Sequence, residues 1–135
     1  MKIAQYGTAI AVLHALINGL HGLAHIEIPV ALSLLQSLFV GIVIFLTPII
    51  AAVLLWTQFY RIGSWLFVIS IAGSLLFGIY NHFIVMSPDH VSQITFAGWG
   101  MLFRVTAILI LIVDGFGCWF GMWALKTTTQ QEQVL

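Results

Sequence analysis

Four long apolar runs alternate with short polar breaks along this chain, at residues 3–24, 29–56, 62–85 and 96–125. Each reaches the roughly 20 residues that a helix needs to cross the hydrocarbon layer of a bilayer. The breaks, at 25–27, 57–61 and 87–92, are too short to hold a soluble domain. The pattern predicts an all-α protein, an integral membrane four-helix transmembrane bundle over residues 1–125. A polar C-terminal tail at 126–135 is expected to fray. Pro48 lies inside the second run and predicts a kink there. The first run follows Lys2 as a signal peptide would, but histidines and an asparagine interrupt it, so a retained helix is expected.

Composition supports the pattern. Hydrophobic residues make up 61% of the chain and charged residues 6%, against about a quarter charged in soluble domains. Such a chain cannot cover a water-facing surface. The formal net charge is zero and the basic residues are scattered, which argues against a nucleic-acid partner. Cys118 is the sole cysteine, so an internal disulfide and a thiolate metal cluster are both excluded. There is no nucleophile elbow, phosphate-binding glycine loop or acid pair at hydrolase spacing.

Basic residues set the expected orientation. Lys2, Arg61 and Lys126 fall before helix one, in the second loop and after helix four. Four spans place these on one side, which the positive-inside rule makes cytoplasmic. A bacterial inner membrane with both termini cytoplasmic is the expected location. Aromatic residues agree: Trp56, Tyr60, Trp65 and Trp123 fall at the inner borders, Tyr80, Phe83 and Trp99 at the outer. Small residues at i, i+4 spacing, Ser70, Ser74 and Gly78 in helix three and Gly117 and Gly121 in helix four, permit close helix approach. They suit contacts within one chain or between chains, and a homo-oligomer or a larger membrane complex is expected.

Polar groups inside the spans are costly and each needs a partner or a purpose. Helix one carries His14, Asn18, His21 and His25. At about 100° per residue, His14 to His21 turns by roughly −20° and His21 to His25 by roughly +40°, so the four share one stripe. His21 and His25, one turn apart, can grip one ion from a single helix. Helix three ends in Asn81-His82, and the loop begins Ser87-Pro88-Asp89-His90. This topology brings His21, His25, His82 and His90 to the outer face. These four are the candidate ligands of a transition metal ion (Cu, Zn, Ni or Fe). Glu27 and Asp89 are expected to orient the imidazoles, and Arg104 to meet one of those acids. The alternative cofactor is a b-type haem between one histidine of helix one and one of helix three, facing quinone. His14, Asn18, Gln36 and Asp114 form a deeper polar path for a proton or ion, distinct from the ligand set. A purely structural subunit, its polar residues fixing helix packing, is the third reading.

Over about nine residues, His82 to His90 resembles the histidine–spacer–Asp-His signature of nickel–cobalt permeases. Six residues separate His82 from Asp89, a longer spacer than that signature has, and the chain is shorter than those permeases.

A cytoplasm-dependent fluorescent reporter fused after Leu135 should glow, and a phosphatase active only outside should work when inserted near Ser92. The opposite pair of signals would reverse the orientation.

Overall fold

The computed structural model describes residues 2–28 and 30–132, with side chains through Thr127. Position 29, where the second apolar run opens, and positions 133–135 of the tail lie outside the described residues. The described chain is helical without strands. Four helices are long and apolar enough to cross a membrane: α1 (Lys2–Glu27), α2 (Leu34–Leu54), α3 (Tyr60–Ile84) and α4, whose span is Trp99–Thr127. α1 and α3 pack on α4, and α3 packs on the second half of α2. The α1–α2 and α3–α4 connections share one end of the bundle, called the upper end below.

Boundaries depart from the apolar runs where capping chemistry decides them. α2 begins at Leu34 because Ser33 caps it: the Ser33 hydroxyl accepts from Gln36 N–H, and Gln36 Oε1 accepts from Ser33 N–H. α4 continues to Glu132, past the apolar run.

Pro48 shapes α2. It has no N–H to donate within the helix. The chain widens into a π-helix over Val40–Leu46, where Thr47 N–H reaches back to Ile42. The expected kink thus falls at a widened turn, and the Ile44 carbonyl on it lies 2.9 Å from a side-chain donor, His14 Nε2. α3 widens in the same way over Tyr80–Ile84, where Val85 N–H donates to Tyr80. Asn81 and His82, on this widened turn, are both buried.

The core divides along the bundle. Its lower half is an apolar cluster of Ile10, Ala11, Ala51, Phe67, Ile71 and Phe120. A smaller cluster at the upper end joins Ala24, Ile94 and Phe103, with Val30 and Val91 against it. The small-residue stripes are contacts within the chain: a Cβ on Gly117 would meet Ile71 and Ile10, and one on Gly121 would meet Val68 and Phe67. Large apolar side chains such as Leu16, Ile69 and Ile112 point outward all round the bundle.

Gly63 is the glycine whose replacement tests this packing most cleanly. A Cβ there would lie 2.9 Å from Leu55 N and 3.0 Å from Ala51 O, backbone atoms that cannot rotate away. Gly115 faces open space. Gly63→Ala should lose about 1–3 kcal/mol to overpacking, whereas Gly115→Ala should be neutral or gain up to about 1 kcal/mol of helix propensity. Thermal unfolding in detergent reads both, and equal responses would contradict the packing described.

Candidate metal centre

Helix periodicity places His21 and His25 on the last turns of α1, facing the widened end of α3. There they meet His82. Among the described residues these three form a group in which one ring nitrogen of each lies within 4.8 Å of one from each other ring. His21 is 6% exposed and His82 5%, so neither is solvated by bulk water. Phe103 of α4 packs on all three imidazoles, at centroid distances of 4.6, 5.0 and 5.2 Å.

The partners of each ring assign its tautomer. The Thr106 hydroxyl donates to backbone carbonyls of its own helix, Leu102 at 2.6 Å and Phe103 at 3.0 Å. Its oxygen is therefore an acceptor for His21 Nδ1–H at 2.8 Å, which leaves the lone pair on Nε2. His82 Nδ1–H donates to the Asp89 carbonyl at 3.2 Å, with the Asp89 carboxylate at the same distance, which again leaves Nε2 bare. His25 Nε2 faces Asp89 Oδ1 at 3.4 Å, and its Nδ1 is buried with no hydrogen-bond partner.

Two bare nitrogens, His21 Nε2 and His82 Nε2, thus point at each other across 3.1 Å. Two facing lone pairs repel unless a positive charge lies between them. A proton would make one ring an imidazolium beside Asp89, and a metal ion would take both lone pairs. Tetrahedral coordination with bonds of about 2.0–2.1 Å puts neighbouring nitrogens about 3.3 Å apart. The His21–His82 pair is close to that spacing, and ligand atoms of all three rings lie within 4.8 Å of one another. Asp89, buried at 7% exposure, sets its carboxyl group 3.2 Å from His82 Nδ1 and 3.4 Å from His25 Nε2.

A cavity of about 300 Å³ reaches the trio from between α1, α2 and α3, lined by Asn18, His25, Ile44, Ser74, Phe77 and Asp89 among others. Three imidazoles facing a cavity would leave a coordination position open on an ion that they held, as reactive metal sites do and closed structural ones do not.

Other candidates take different places. His90 is engaged by its own loop: Nε2–H donates to the Phe83 carbonyl at 3.2 Å, and Nδ1 accepts from Ser92 N–H at 3.2 Å. It has no lone pair left for a metal, so the expected fourth ligand is a loop staple. Glu27 is exposed at the end of α1. Arg104 lies 5.5 Å over the Phe96 ring instead of meeting Asp89, which turns inward to the histidines. Gln36 belongs to the upper end, not to the deeper path: besides capping α2 it donates to Asn81 Oδ1 at 3.1 Å. His14 and Asp114 do meet in the middle of the bundle, Nδ1 to Oδ1 at 2.6 Å with both side chains fully buried. The sequence reading does not single out Thr106 or Phe103. The signal for Thr106 was a hydroxyl inside an apolar run, two turns before Asp114.

Comparison with protein families, with curated proteins and with solved structures finds no match for this chain.

A haem does not fit the trio. Axial nitrogens on opposite sides of one iron are two bond lengths apart, about 4 Å, with a macrocycle between the rings. Here the nitrogens are 3.1 Å apart and the ring centroids 4.8 Å, and Phe103 fills the adjoining space.

Thr106→Val keeps the volume but removes the acceptor that holds His21 Nδ1–H. Loss of such an orienting partner should weaken metal binding by about 10–100-fold, measured by competition with a chromophoric chelator. Unchanged affinity would show that Thr106 does not set the His21 tautomer.

Proposed function

We propose that this chain is an integral membrane protein that binds one transition-metal ion through His21, His25 and His82. Its four apolar helices and outward-facing aliphatic surface suit a lipid bilayer. In the orientation expected from Lys2, Arg61 and Lys126, the site lies at the extracytoplasmic end. The observation that carries the metal reading is the pair of bare nitrogens facing each other at 3.1 Å, each with its other nitrogen tied to a protein acceptor. Metal-ligating histidines are oriented by such partners.

Imidazole donors without thiolate suit Cu(II), Zn, Ni or Fe(II) and disfavour a Cu(I) thiolate site. The ion would be held by the three rings, with Asp89 neutralising part of its charge and the cavity leaving a position for a further ligand. When bound, such an ion supplies a Lewis acid or, if redox-active, an electron store. The chain's own groups do the rest. Thr106 and Asp89 keep the ligating nitrogens unprotonated, and the cluster of Val30, Val91, Ile94 and Phe103 keeps bulk water away from the rings. A metal-handling or redox accessory subunit of a larger membrane complex fits this arrangement.

Protein purified in mild detergent and loaded with Zn²⁺ or Cu²⁺ should hold close to one ion per chain by elemental analysis. His21→Ala and His82→Ala should each reduce this to background, while His90→Ala should leave it intact. No stoichiometric metal in the wild type would leave the trio a packing device sharing a proton.

A further inference from the structure

Another buried histidine, His14, lies deeper in the bundle with both ring nitrogens engaged. His14 Nε2 lies 2.9 Å from the Ile44 carbonyl. A carbonyl only accepts, so His14 Nε2 carries a proton. His14 Nδ1 lies 2.6 Å from Asp114 Oδ1, and that short contact needs a second proton between the atoms. The proton sits on the ring or on the carboxyl, and in both cases the pair is neutral overall. Its loss leaves one negative charge. Asp114 Oδ2 is buried without a partner, so nothing else in the described structure neutralises that charge.

The pair communicates with one end of the bundle. Asn18 Nδ2 donates to the His14 carbonyl at 3.0 Å, and it lies 3.3 Å from His14 Nδ1. Asn18 also lines the cavity that reaches His21, His25 and His82. Ser74 Oγ, buried and without a partner, lines the same cavity, so polar groups mark a route upward. Below the pair, the apolar cluster around Ile10, Phe67, Ile71 and Phe120 closes the bundle. The titratable neighbours are Cys118, one turn further along α4, and above it the trio with Asp89; α2 and α3 present the Ile44 carbonyl and the Ser74 hydroxyl. By helical rise the pair lies about 10 Å below His21, and a charge that close in a low-dielectric interior is strongly felt.

We propose that His14–Asp114 is a proton store coupled to the trio: it holds one proton until a divalent cation binds above, then releases it toward the upper end. The balance closes. The proton shared by Nδ1 and Oδ1 leaves through the cavity as hydronium, and the pair passes from neutral to one negative charge. The Asn18 amide donates to the vacated lone pair, and the new charge compensates half of the incoming dication's. A proton held between His21 Nε2 and His82 Nε2 is displaced with or without Asp114, so the store is read as the difference between wild type and a variant that lacks it. This inference rests on the metal reading above.

Titration calorimetry with Zn²⁺ in two buffers of unlike ionisation heat tests it. The wild type should release about one proton more per Zn²⁺ bound than Asp114→Asn does. Asp114→Asn should bind Zn²⁺ at the same stoichiometry, with affinity lowered by a factor in the range typical of site coupling, about 5–150-fold. Equal proton release in the two proteins, whether none or one, would overturn the proposal while leaving the metal site standing. Absence of Zn²⁺ binding in the wild type would overturn the metal reading itself. If Asp114→Asn fails to fold, solid-state NMR of the wild type in lipid decides. The His14 Nδ1 proton should resonate far downfield without metal and vanish on adding Zn²⁺, and its persistence would contradict the store.

Discussion

A neutral imidazole inside an apolar bundle has one N–H to give and one lone pair to fill, and the surroundings decide which nitrogen does which. Thr106 is held as an acceptor by its own helix carbonyls and takes the N–H of His21. Asp89, folded back from the α3–α4 loop, takes that of His82 and faces His25. These contacts leave two lone pairs converging at 3.1 Å, an arrangement that is unfavourable without a cation. The widened end of α3, the inward turn of Asp89 and the packing of Phe103 all serve this constraint.

The widened turn of α2 before Pro48 carries the Ile44 carbonyl, which accepts from His14 Nε2 at 2.9 Å. The fully buried His14–Asp114 contact then follows at mid-bundle. The upper half of the bundle is therefore hydrogen-bonded and hollow, and the lower half is packed with aliphatic and aromatic side chains. That asymmetry suits a centre served from one side better than a pathway through a single chain.

Much of the fold was legible in the sequence because four apolar runs near bilayer length have few alternatives. The stripe of His14, Asn18, His21 and His25 was also legible, since helical periodicity alone puts these residues on one face. His82 joined them through topology. The fate of His90 was not readable: its partners are a carbonyl of Phe83 and the backbone of Ser92, and only the folded loop brings them to its ring. Arg104 and Glu27 were placed by charge complementarity, but Arg104 found an aromatic face and Glu27 solvent. Gln36 carried a usable signal, the Ser33-x-x-Gln36 capping box, which outweighs its polarity as a guide to its place. The orienting role of Thr106 depends on helix four meeting helix one in one register, which periodicity within each helix does not specify.

Whether three imidazole nitrogens take one ion is tested most directly by X-ray absorption at the metal edge of Zn²⁺-loaded protein in lipid. The expected first shell is dominated by nitrogen at about 2.0–2.1 Å, with the outer-shell scattering of three imidazoles, one of which disappears in His82→Ala. A first shell of oxygens without imidazole scattering would contradict it.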